Sequence, residues 1–267
     1  MPSHLSTIGF KVESDDELLD LANTIGPQAT PYEVEGGTYY RWRGDSGEEL
    51  WLILDNEGDL VGTNPHFSGE SSIAVGVQAR IERVPDFPLE GAYYVWASPP
   101  EDDLEAGEYP FVFDCPDATT YADIDLPGRC TAQVAAFAHE IEFFASEAAF
   151  DASQTEAETR FASKSFFPIG LFSEDGEAAS PPDATALFTG TVVKAASKTN
   201  PMSGNRFHWA LVETLGGQFD VVIDPELLAA TPEPGGILSG VFWLSGRLVE
   251  YPKRKDKFRV IQGGAGK

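Results

Sequence analysis

The chain has 267 residues, with 18 Lys and Arg against 43 Asp and Glu, and 42% of it is hydrophobic. That composition belongs to a folded protein and excludes wholesale disorder, and no apolar run reaches the roughly 18 residues of a membrane span. Two cysteines cannot build a disulfide framework, nor close a four-ligand zinc site alone.

The first strand expected is His4–Val12, where Ile8, Phe10 and Val12 alternate. Ser14-Asp15-Asp16-Glu17 is a capping box, followed by Leu18, Leu21, Ala22 and Ile25 at helical spacing; Gly26-Pro27 ends the helix. Further strands are expected at Gly37–Arg43, Glu49–Leu54 and Leu60–Thr63, with turns at Gly44–Gly47 and Asn56–Asp59. His66 follows an Asn-Pro turn signal and is expected in a solvated loop.

This βαβββ order, with His4 on the first strand and Asp45-Ser46-Gly47-Glu48-Glu49-Leu50 near the end, resembles one module of the glyoxalase-like (vicinal oxygen chelate) fold. The resemblance implies a divalent metal held by His4 and Glu49. Imidazole and carboxylate suit zinc, iron, manganese or nickel. The family draws its ligands from two modules, and the next strand here carries no His.

Residues 71–145 read as strands at Ile73–Val84, Ala92–Ala97, Tyr109–Phe113 and Cys130–Phe144. His139-Glu140-Ile141-Glu142 then falls on an edge strand, its carboxylates on one face and His139 on the other. The acidic groups at 101–103 and 114–125 read as solvated loops, and Cys115 and Cys130 as reduced thiols. Residues 146–163 read as an acidic helix with a break near Ser153, and Ser165–Phe172 as either a buried apolar strap, the commoner outcome, or an interface.

Charge divides unevenly. Residues 1–182 hold 8 basic and 35 acidic side chains; residues 183–267 hold 10 and 8. The change falls at Ser180-Pro181-Pro182-Asp183, a linker-like stretch, which predicts an acidic α+β domain over 1–182 and a second domain over 183–267.

In the second part, strands at Ala186–Ala195, Arg206–Thr214 and Gln218–Ile223 precede a helix start at Asp224-Pro225-Glu226. Strands at Ile237–Val249 and Phe258–Ile261 follow. The order βββ-α-ββ resembles an OB-fold, a five-stranded barrel that binds ligands through strands two and three and two flanking loops. The resemblance implies a ligand surface of Lys198, Arg206, Phe207, Trp209, Lys253, Arg254 and Lys255, with phosphate attraction beside aromatic faces. The alternative is that these aromatics fill a core and the basic loop docks on the acidic part.

The leading expectation is a non-catalytic cytoplasmic binding or regulatory protein acting through protein contacts. Metal-dependent catalysis of the vicinal oxygen chelate type is an alternative, and single-strand nucleic-acid binding another. The acidic first part disfavours nucleic acid and anionic membranes as partners.

Overall fold

The computed structural model describes residues 3–84, 87–155, 160–172 and 181–253. Helix α1 spans Asp15–Ile25, and its cap forms as expected: Ser14 Oγ accepts the Glu17 N–H, while the Glu17 carboxylate accepts the Glu13 N–H. The segment before it is not a strand. Residues Ser6–Ile8 form a 3-10 turn closed by Gly9, whose φ of 86° lies in the left-handed region. Ile8 and Phe10 are buried, as their alternation suggested. Their backbone, however, is held by side chains. Asn200 Nδ2 donates to the Ile8 carbonyl, and Ser203 Oγ and Asn205 Nδ2 donate to that of Gly9.

Strands β1 (Thr30–Val34), β2 (Gly37–Arg43), β3 (Glu48–Asp55) and β4 (Leu60–Phe67) form an antiparallel sheet in chain order. β3 is apolar on both faces, and alternation divides them. Leu50 and Leu52 pack with Ile25 of α1, whereas Trp51 and Ile53 pack with Tyr39 and Leu89. The sheet is therefore sandwiched on both sides.

The larger sheet contains β5 (Ile73–Val84), β6 (Phe87–Ala97), β7 (Pro110–Cys115) and β8 (Gly128–Phe144). After helix α2 (Glu147–Ser153) come β9 (Ser165–Phe167), β10 (Thr185–Thr199), β11 (Arg206–Thr214), β12 (Gly217–Ile223) and β13 (Ile237–Glu250). α2 is shorter than the helix expected over 146–163. The supposed strap is only half buried: Phe166 enters the core, but Phe167, Ile169 and Phe172 are exposed.

The pairings return to their starting point twice. β10, β11, β12, β8 and β13 pair in succession, and β13 pairs back to β10. Likewise β5, β6, β7, β13 and β8 pair in succession, and β8 pairs back to β5. In both rings the third strand of a meander, β7 or β12, lies parallel to the long last strand of the other unit. The chain thus uses one four-strand plan twice, and the antiparallel pair β8–β13 belongs to both rings.

This arrangement corrects two expectations. The Pro-rich seam at 180–183 does not separate two sheets, because β8 lies between β12 and β13. The second half is not a self-contained barrel either. The position beside β12 is taken by β8, and Phe258–Ile261 lies outside the described residues. No helix forms at 224–230: Asp224 caps a single turn, with Thr231-Pro232 close behind, and Leu227 and Leu228 pack on the core.

Candidate functional site

The small sheet and the N-terminal segment cover the outward face of β8 and β13. Three alternate residues of β13 meet them in turn: Trp243 stacks on His4, Ser245 bonds His66, and Arg247 lies over Trp51. Alternate residues stand about 6.7 Å apart along a strand. The surroundings of His4 and of Trp51 with its neighbour Glu49 are therefore about 13 Å apart along β13.

That spacing decides the fate of the two implied metal ligands. Glu49 is fully buried, and its carboxylate is taken up by Arg41, by Arg43 at 3.8 Å and by the Trp51 indole N–H at 3.0 Å. Burial disfavours its charge, but His66, Arg41 and Arg247 outweigh that and hold the carboxyl below its ordinary range. His4 Nε2 instead lies 2.7 Å from His139 Nε2, and burial first, then His139, pulls the His4 ring down to about 4. His4 and Glu49 do not share a site. Among the described residues, no three His, Cys, Asp or Glu side chains come together as a ligand set.

His139 is half buried and occupies a bulge: Glu140 pairs with Val241 and Ala138 with Phe242, leaving His139 between them. The bulge brings the His139 ring to His4. Beside them the Trp243 N–H donates to Asp114 Oδ2 at 2.6 Å, and Arg83 pairs with Oδ1 of the same carboxylate at 2.5 Å.

His66 is not in a solvated loop. It lies on β4 opposite Glu49 and is fully buried. Its Nε2–H donates to Gln133 Oε1 at 2.8 Å, which leaves Nδ1 to accept from Ser245 Oγ at 2.9 Å. Gln133 in turn donates to Asp220 Oδ2 and to the Phe67 carbonyl. Asp220 also accepts from the Trp209 indole and the Glu70 and Ser71 amides. A Ser–His pair is a nucleophile-and-base arrangement when a substrate can reach it. Here Ser245 is 1% exposed and the third member is an amide, so the network joins two sheets. Gly69 permits this approach, since a Cβ there would collide with the Asp220 carboxylate.

The thiols are equally enclosed. Cys115 and Cys130 are free and buried, and burial pushes the Cys130 thiol up to about 12 and Cys115 well above its ordinary value. Neither is a thiolate nucleophile near neutral pH.

The two aromatics of the expected nucleic-acid surface are internal. Phe207 is fully buried against Phe67, and Trp209 is 6% exposed with its N–H spent on Asp220. Lys198 lies over the Phe67 and Trp209 rings and donates to the Ser46 carbonyl. Arg206 is exposed and bonds Ser197, while Lys253 pairs with Asp123 at 3.8 Å. Arg254 and Lys255 lie outside the described residues. The aromatics are core because the N-terminal segment and small sheet cover them, so they offer no stacking face.

An open groove of about 420 Å³ runs between α1 and the small sheet. Leu19 and Ala22 form one wall, Tyr40, Leu52 and Leu54 the floor, and Leu60 the far side. The sequence carried one sign of it. Ala22 and Ile25 are the buried residues of α1 and Leu18 and Leu21 beside them are half buried, whereas Leu19 is 49% exposed. A scan of protein families, a search of curated proteins and a search of solved structures found no match to this chain.

Proposed function

We propose that the chain is a non-catalytic binding or regulatory protein of the cytoplasm that acts through protein contacts. The carrying observation is that several of its chemistry-bearing groups are turned inward and bonded to one another. Glu49 meets Arg41, His66 meets Gln133 and Ser245, and Asp117 meets Arg247. What faces outward is acidic surface and an apolar groove. Two buried free thiols fit a reducing compartment. The ring β10–β11–β12–β8–β13 fits an OB-like barrel with β8 in the fifth place, its aromatics serving as core rather than as a base-stacking platform.

Three probes test this reading on the intact chain. Binding of a cationic protein or peptide, weakened by salt, is expected, because an acidic surface attracts basic partners. Stoichiometric divalent metal in protein purified without chelator, lost in His4→Ala, would overturn it in favour of a metal-dependent activity. Tight oligonucleotide binding at low salt would overturn it in favour of a nucleic-acid binder.

A further inference from the structure

The groove between α1 and the small sheet combines two properties. Its lining is mainly apolar, from Leu19, Tyr40, Leu52, Leu54 and Leu60, with Asn23 and Asp59 also lining it. Its edges are acidic. α1 carries Asp15, Asp16, Glu17 and Asp20 and no basic residue. Asp16 and Asp20 precede Leu19 and Asn23 by three positions, which places them beside those groove residues on the helix surface. The opposite lip is the turn after β3, with Asp55, Glu57 and Asp59. That lip is preformed, since Asp55 Oδ1 accepts the amides of both Glu57 and Asp59.

This combination selects its occupant. Fatty acids, nucleotides and acidic peptides are repelled by the edges, and a second copy of the chain brings the same net charge of −25. A segment with one apolar face and one basic face satisfies both lining and edge. The volume lies within the range of roughly 300–1,000 Å³ typical of binding pockets. We infer that this groove docks a cationic amphipathic segment of a partner protein. Apolar side chains seat on Leu19, Leu52, Leu54 and Leu60, and Lys or Arg side chains meet Asp16, Asp20 and Asp59. This inference rests on the protein-contact reading and assigns it a place.

The test uses the whole chain and two labelled synthetic peptides of leucine and lysine. One is an amphipathic helix; the other has the same composition with its leucines scattered. Binding is read by fluorescence anisotropy for wild type, Leu19→Arg, Leu19→Ser and Val249→Arg. Val249 is 56% exposed on β13 and does not line the groove, so its variant controls for added charge. Saturable binding that prefers the amphipathic peptide is expected. Leu19→Arg and Leu19→Ser should weaken it by on the order of tenfold, the loss of one anchoring side chain, and Val249→Arg should leave it within about twofold. Equal weakening by Leu19→Arg and Val249→Arg, with no effect of Leu19→Ser, would show bulk attraction and overturn the groove while leaving the protein-contact reading standing. No binding of wild type to either peptide would remove both. Unchanged thermal melts of the Leu19 variants, expected for a half-exposed side chain, exclude misfolding as the cause.

Discussion

His4 and His139 face each other through their Nε2 atoms at 2.7 Å, across residues 135 apart in the chain. One ring donates and the other accepts. The His4 ring also lies parallel to Trp243, centroids 4.2 Å apart. The pair fastens the N-terminal segment to the bulge of β8. His4→Ala and His139→Ala should each cost about 1–2 kcal/mol, the scale of a hydrogen bond plus an aromatic contact. A double-mutant cycle by chemical denaturation should give a coupling above about 0.5 kcal/mol. Strict additivity would refute the contact.

Glu48 is fully buried and neither of its carboxylate oxygens has a hydrogen-bond partner. Burial pushes it up to about 7, with the nearby Lys198 charge pulling the other way. Its folded-state value exceeds the ordinary 4.5, so the folded chain holds a proton that the unfolded chain has released. Its contribution to stability is complete below pH 4.5 and is lost as the pH rises toward 7. Glu48→Gln should therefore gain on wild type between pH 5 and pH 8, measured as urea midpoints. An equal difference at both pH values would show that Glu48 does not titrate in that window.

Gln133 is the hinge of the inter-sheet network, bonded to His66 on one side and Asp220 on the other. Gln133→Leu leaves the buried His66 Nε2–H without an acceptor and takes one of four donors from Asp220, and should cost about 2–5 kcal/mol. Trp209→Phe removes one N–H from the same carboxylate and should cost about 1.5–3 kcal/mol, with no change in oligonucleotide binding. Burial holds His66 below its ordinary 6.5, so the folded state prefers the neutral ring. The stability this ring contributes should be complete above that value and fall as the pH drops below it. His66→Gln should flatten that part of the acid-side decline in a denaturation series.

The two rings make the halves interdependent. Expressed alone, residues 1–182 lack both β12 and β13 as partners for β8, and residues 183–267 lack β8. Neither fragment should show a cooperative thermal transition by circular dichroism. A sharp transition from the second fragment would mean that β8 is dispensable to its ring.

Local pattern made much of this fold readable, and long-range pairing made the rest unreadable. Ile73–Val84 announces itself by alternation and occupies the expected residues. His4–Val12 alternates too, but Gly9 with positive φ and the side chains of Asn200, Ser203 and Asn205 hold that alternation as a pinned turn. Asn64-Pro65 signals a turn, yet both residues sit within β4, so His66 goes to the interior. The parallel pairing of β12 with β8 joins residues some 85 apart and leaves no mark at either strand. His4 meets His139 rather than Glu49, because only the folded β13 face sets their positions.

The exchange of last strands also bears on synthesis. While β5 to β8 leave the ribosome, β8 has neither β12 nor β13 to cover it, and β7 lacks its parallel neighbour. Those edges stay open until the last described strand has been made, since β13 closes both rings. Folding of the larger sheet is thus deferred until β13 has been made, with unpaired strand edges exposed meanwhile. A nascent chain stalled before Ile237 should bind chaperones that a chain released after Glu250 no longer engages.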